Sequence, residues 1–326
     1  MMQCLSSMNR GREQRRWTPC LIKSSSALPS LIDQVIEQQK TESVIIPSGS
    51  FSPVRQKALG LEVMKLLQFN FDHGRLDESV HPFCGGVPSD VRITTRYDEQ
   101  DFVQALMGVV HETGHARYEQ GLPTQFAGLP VGEARSMGIH ESQSLFFEMQ
   151  LGRSPAFIHH LAALATRMFD AAADPAFSES NLQKLYTRVA KGFIRVDADE
   201  LTYPAHVILR YEIERDLMNG HIQHTDVPEL WDQKMQNYLG LTTKDNYTNG
   251  CMQDIHWTDG SFGYFPSYTL GAMYAAQFKA TMQKTVNVDA AIRSGDLSPI
   301  FQWLSDNISV TSLASYHGRI SEESDR

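Results

Sequence analysis

A mainly α-helical fold with a small β element is predicted for this 326-residue chain, on three observations. Apolar residues recur at helical spacing through most of the chain after Val54. Only one short stretch is rich in β-branched residues, and no internal repeat or low-complexity block interrupts the pattern. A hydrophobic fraction of 41% and a charged fraction of 21% are those of an ordinary globular protein, with enough chain to bury a substantial core.

Residues 1–50 have weak periodicity. SSSALPSLIDQVIEQQK reads as one short helix after a loop and IPSGSFSP as a linker, so this segment is expected to be poorly ordered or incomplete. Its start is basic (Arg10, Arg12, Arg15, Arg16 and Lys23 against Glu13) and lacks the apolar run of a secretory signal; a disordered start is preferred to a transit peptide. VRQKALGLEVMKLLQFNF places Ala58, Leu61, Leu66 and Phe69 at helical spacing, HPFCGGVPSD reads as loop, and VRITTRYD as a short strand. DEQDFVQALMGVVHETGHARYEQG is a helix. Asp98 or Asp101 caps it, Phe102, Ala105, Leu106, Val109 and Val110 form its apolar stripe, and Gly121 stops it.

After a loop rich in Gly and Pro, HESQSLFFEMQLG opens a second helical pattern. Further helices are expected over 155–173, 179–193, 200–218 and 227–240, followed by an aromatic loop running into a last helix. Residues 51–310 are read as one helical catalytic domain, and 311–326, rich in Ser and charge, as a disordered tail.

A net charge of −9 argues against a nucleic-acid-binding surface. The longest apolar runs are about six residues against roughly 18 for a membrane span, so no membrane partner is expected. Cys4, Cys20, Cys84 and Cys251 lie far apart, which favours reduced thiols and a cytoplasmic setting.

The chemistry concentrates on the first confident helix. His111 and His115 are four residues apart, so both imidazoles lie on one face and can meet one metal ion. Glu112 sits one step round the helix, positioned to take a proton from an attacking water without ligating the metal. The motif directly follows the apolar run ALMGVV, which places it in the interior, where a histidine pair needs partners. A catalytic zinc also needs a third protein ligand. Glu141 or His140, at the start of the next helix, can supply it, and the spacing alone does not choose between them.

HPF, DVRITTRY, HETGHARYEQG, GIHESQS, IRVDADELTYPAHVILRYEIE and MQDIHWTDGSFGYFPSYTLG occur in this order. Together they resemble the thermostable carboxypeptidase Taq family of zinc metallocarboxypeptidases, over about Phe69 to Phe278. The resemblance implies a neurolysin-like helical fold with a long groove over the metal. It also implies removal of single residues from peptides with a free C-terminus, with broad preference and poor action on proline, and a homodimer. It assigns Zn2+ (with Co2+ as a substitute) to His111, His115 and Glu141, and the general base to Glu112.

Recognition of a terminal carboxylate suits a planar guanidinium. Arg195 is the first candidate, by its match to the family's arginine, and Arg92 the second. The competing role for each is a structural ion pair, to Asp197 or Asp199 for Arg195 and to Asp90 for Arg92. His81 is a candidate for lining the groove. His256, Tyr264 and Tyr268 are candidate donors to the developing oxyanion, while Asp254 and Glu200 are read as their supports.

Members of the family carry a longer helical region before HPF, whereas 80 residues precede His81 here, and the far end also departs from the family. The chain therefore reads as shortened at both ends. Two other functions compete on that ground: an inactive fragment that binds metal or peptide without turnover, and an endopeptidase with an open groove.

Overall fold

The computed structural model describes residues 14–80 and 82–309, with side chains from Ser26 onward. In chain order its elements are α1 (Gln14–Gln39), α2 (Pro53–Leu66), β1 (Gly74–Glu78), β2 (Phe83–Val87), β3 (Asp90–Thr95), α3 (Val103–Gln120) and α4 (Met137–Leu145). There follow α5 (Pro155–Met168), α6 (Glu179–Tyr186), α7 (Tyr203–Met218), α8 (Val227–Leu239), α9 (Pro266–Met282), α10 (Val288–Ser294) and α11 (Ser298–Leu304). The fold is mainly α with one small sheet, as the sequence predicts. The tail at 311–326 lies outside the described residues. Among the described residues, no helix is long and apolar enough to cross a membrane.

The chain divides into two compact units, one of Met1–Ser43 with Thr187–Leu270, the other of Val44–Tyr186 with Gly271–Arg326. The stretch 51–310, read above as one catalytic domain, contributes to both.

In the second unit, α3 is the central element. Phe102, not the expected Asp98 or Asp101, holds the N-cap position, and the carboxylate of the preceding Asp101 accepts from the Val103 amide at 2.7 Å. Phe102, Leu106 and Val110 on one side join Phe146, Phe147, Phe157 and Leu161 in the main core. Burial of each such side chain contributes about 1.5–3 kcal/mol. Leu59 and Val63 of α2, with Leu67 at its C-cap, add to this core. The buried stripe thus runs one step round from the expected Ala58, Leu61 and Leu66, because the tertiary partner, not the helical period, selects the face. The expected Phe69 is instead buried with Leu76, Val91 and Ile93 of the sheet.

The sheet has the order β1-β3-β2, with β1 parallel and β2 antiparallel to the central β3. Val91 and Ile93 are fully buried and share a core with Val109 and Ala116, so one face of the sheet is clamped to α3. HPFCGGVPSD is not wholly loop: Phe83–Val87 forms β2. Glycines weaken a strand, but this one lies at the sheet edge and draws its register from β3, with Gly85 opposite Arg92.

Ser136 caps α4 through its Oγ, which accepts from the Ile139 amide. The helix then widens into a π-helical turn, Phe146–Gly152, before Ser154 and Pro155 start α5. Single π turns inside helices concentrate at functional sites. Helices α5 and α6 end earlier than the expected 173 and 193.

In the first unit, Leu28 and Ile32 of α1 pack with Ile208, Leu209 and Ile213 of α7 and Trp231, Met235 and Leu239 of α8. Helix α1 is 26 residues long where a short helix was expected. Its end is fastened by the buried Gln39 amide, which donates to the Val189 carbonyl and accepts from the Val189 amide, both at 2.8 Å.

Candidate metal centre

His111 and His115 stand on successive turns of α3, their ring centroids 5.1 Å apart. Glu141 of α4 faces both: its Oε1 is 3.9 Å from His111 Nε2 and its Oε2 is 3.5 Å from His115 Nε2. The donor atoms of these three side chains all lie within 4.8 Å of one another. Among the described residues they are the one group of His, Cys, Asp or Glu side chains arranged in this way.

Two glycines let the helices come this close. A Cβ on Gly114 of α3 would lie 2.6 Å from the Gln143 carbonyl oxygen and 2.6 Å from Ser144 Cα, both backbone atoms of α4. A Cβ on Gly271 would lie 2.8 Å from Glu141 Cβ. Glu141 is therefore wedged between backbones, 2% exposed, and has little freedom to turn away.

The second ring nitrogens are also engaged. His111 Nδ1 is 2.8 Å from Glu148 Oε2, and Glu148 Oε1 accepts from Arg153 Nη2 at 2.5 Å. His115 Nδ1 is 2.6 Å from His140 Nδ1, and His140 Nε2 is 2.8 Å from Glu119 Oε1. His140, the rival third ligand, thus lies behind His115, not among the converging donors.

The electrostatics favour a cation. Burial opposes protonation of His111, yet the hydrogen bond to Glu148 and the charges of Glu141 and Glu148 outweigh it and raise its pKa to about 9. Burial, reinforced by Glu141 and Glu148 against His111, raises Glu112 to about 7. Burial also opposes ionisation of Glu148, but Arg153 and the His111 hydrogen bond prevail and hold it at about 2. His115 is pushed well below its usual range by burial and then by the neighbouring His111 and His140 charges. Glu141 and Glu148 thus favour positive charge at the His111 position. Two imidazoles and a carboxylate, leaving a coordination position open, form a donor set suited to zinc and similar divalent ions.

A second cluster lies in the other unit. Arg195 is buried, and its Nε and Nη2 donate to Asp254 Oδ1 at 3.1 and 3.0 Å. Its Nη1 donates to the Tyr203 hydroxyl at 3.3 Å, and the Tyr268 and Phe265 rings flank it at 4.9 and 5.2 Å. The ion-pair partner is Asp254, not Asp197 or Asp199. Asp199 accepts instead from the Leu201 and Thr202 amides and from the Ala190 amide. His256 Nε2 is 3.2 Å from the Tyr268 hydroxyl, and its ring packs on Tyr264 at 5.6 Å. Sequence reasoning missed Arg210, which is fully buried, bonded to Glu214 and lies over Trp257. Arg92 is half exposed and pairs with Asp90 at 2.7 Å, on the face of β3 turned away from α3. His81 lies outside the described residues.

The first unit also contains an acid-sensitive group. His206 is 1% exposed and its pKa is lowered to about 4, by burial first and then by the Arg195 charge. A histidine depressed from about 6.5 binds its proton more readily when unfolded. Its contribution to stability is therefore complete above pH 6.5 and is lost as pH falls toward 4, by about 3 kcal/mol in all. Urea unfolding between pH 4 and 7 should show that loss, and His206→Leu should flatten the slope; an unchanged slope in the variant would assign it to other groups.

Against this geometry stand the comparisons with known proteins. The model of the carboxypeptidase Taq (M32) metallopeptidase family matches residues 3–320. The chain belongs to this family. Carboxypeptidase 1 of Bacillus subtilis is 42% identical over 289 residues, 87% of this chain and 57% of the relative. Thermostable carboxypeptidase 1 of Thermus thermophilus is 37% identical, over 90% of this chain and 57% of that protein.

Among solved M32-type structures, metallocarboxypeptidase 1 of Trypanosoma cruzi superposes with a TM-score of 0.86 at 50% identity. The match covers 90% of this chain and 61% of that one. The M32 carboxypeptidase of Deinococcus radiodurans R1 gives a TM-score of 0.86 at 33% identity, covering 94% and 62%. The chain thus spans somewhat more than half the length of the M32 relatives it matches.

Proposed function

We propose that this chain is a zinc-dependent carboxypeptidase that hydrolyses the last peptide bond of peptides with a free C-terminus. The observation that carries the reading is the convergence of His111, His115 and Glu141 beside Glu112, a carboxyl whose pKa of about 7 suits a general base at neutral pH. His111, His115 and Glu141 would hold the ion. A divalent metal there supplies Lewis acidity, polarising the scissile carbonyl and easing the deprotonation of water. Glu112 takes the proton of the attacking water and returns one to the leaving amine.

His256, Tyr264 and Tyr268 are the proposed donors to the oxyanion, supported by the contact between His256 and the Tyr268 hydroxyl. Arg195, its guanidinium held in place by Asp254 and Tyr203, is the first candidate for binding the terminal carboxylate and Arg92 the second, while His81 is the candidate for lining the groove. A cytoplasmic setting is supported by the free thiols of Cys84 and Cys251. A homodimer, which the family resemblance implies, is checked by light scattering.

The test compares amino-acid release from one peptide with its C-terminus free and amidated, alongside metal analysis. Release from the free form alone, with one zinc per chain, is the expected result. Internal cuts would make the chain an endopeptidase, and bound metal without any release would make it an inert fragment.

A further inference from the structure

Both histidines of the donor cluster present the same edge to Glu141. Nε2 of each ring faces the carboxylate, at 3.9 and 3.5 Å, and Nδ1 of each ring faces outward to a partner outside the group of converging donors. The two partners differ in kind, and each favours a hydrogen on Nδ1 when the rings are in the neutral form that ligates a metal.

Behind His111 is a carboxylate. Glu148 only accepts, so a neutral His111 carries its hydrogen on Nδ1 and keeps the Nε2 lone pair for a metal. Glu148 is itself fixed by Arg153, whose Nη1 donates to the Tyr186 carbonyl at 3.1 Å. Behind His115 is another imidazole. Two Nδ1 atoms 2.6 Å apart share one hydrogen, and Glu119 decides which ring owns it. Its carboxylate accepts from His140 Nε2–H, so neutral His140 offers a lone pair at Nδ1. His115 must then donate from Nδ1, leaving its Nε2 lone pair turned toward Glu141.

We propose that Glu148 with Arg153, and His140 with Glu119, are positioning residues of the metal centre, two hydrogen-bond relays that fix both imidazoles for ligation through Nε2. The proposal rests on the metal reading given above. It deepens that reading by adding four residues outside the group of three converging donors. Local structure explains their placement. Glu119 lies four residues after His115 on α3, one turn further along the same face, and His140 of α4 bridges the two. Glu148 lies seven residues after Glu141, carried on the π turn that continues α4.

The relays are not equivalent. Burial is similar, with Glu148 15% and Glu119 21% exposed, but Glu148 is bonded to Arg153, which in turn donates to a backbone carbonyl. Loss of a supporting partner of this kind typically weakens metal binding about 10–100-fold.

The experiment titrates the full chain with Zn2+ and with Co2+ against a chromophoric chelator, reading affinity and the Co2+ absorption spectrum. Glu148→Gln and His140→Phe should each weaken binding roughly 10–100-fold and shift the Co2+ bands, and Glu119→Gln should weaken it less than either. Metal-free melting temperatures serve as the folding control. If Glu148→Gln fails to fold, His140→Phe, on the separate relay, decides the matter.

Glu141→Ala is the reference. If the unaltered chain binds no more tightly than Glu141→Ala, the metal reading falls and this proposal with it. If the unaltered chain binds tightly and the Glu148 and His140 variants match it in affinity and spectrum, the relays alone are refuted.

Discussion

Glu112→Gln is expected to lower kcat by about 10²–10⁴-fold, with KM little changed and one metal ion per chain still bound. Residues 111 and 115 share a face, while residue 112 is rotated by about a hundred degrees, so its carboxylate borders the donor cluster without belonging to it. Burial first, then Glu141 and Glu148, raise its pKa to about 7. Glutamine keeps the shape and one acceptor oxygen but cannot receive a proton. The fold and the three donors should therefore survive while proton transfer fails. Single-turnover release of a terminal residue, measured beside the metal content of the same sample, separates the cases. Near-normal turnover would remove Glu112 from the mechanism. Loss of the metal would make it a ligand or a structural group instead.

How much of this centre is legible in the sequence depends on how far apart the partners lie along the chain. His111, Glu112 and His115 sit within five residues on one helix, and the helical period alone places them. Glu141 and His140 adjoin one another at the start of α4; spacing does not choose between them, the family resemblance favours Glu141, and the close packing at Gly114 and Gly271 holds Glu141 toward the histidines. Glu119 and Glu148 carried a signal in their four- and seven-residue offsets, but the π turn at 146–152, which carries Glu148, has no pattern in the sequence. The partner of Arg195 is 59 residues away, so the nearby aspartates of IRVDADE looked nearer than they are. The mixed sheet illustrates the same limit. β3 announces itself by its β-branched residues, whereas β2 is a strand only because β3 supplies its hydrogen bonds.

Gly114→Ala is expected to weaken metal binding at least tenfold and to destabilise the chain by about 1–3 kcal/mol, although alanine is the better helix former by about 1 kcal/mol. Two effects of opposite sign meet at this position, and the distances decide between them. The added methyl would sit 2.6 Å from Gln143 O and from Ser144 Cα, with Gln143 C at 3.0 Å. Contact is comfortable only beyond about 3.5 Å. All three atoms are backbone, so no rotamer change relieves the overlap, and α4 must move away from α3. Glu141 lies two residues before Gln143 and moves with it, away from His111 and His115.

Gly108 provides the control on the same helix. A Cβ there meets nothing within 4 Å, so Gly108→Ala should leave metal affinity unchanged and raise stability by about 0.4–1 kcal/mol. Chemical denaturation and Zn2+ titration of both variants compare packing against propensity in one helix. Equal behaviour of the two alanines would show that the approach of α4 to α3 does not hold the donor cluster together.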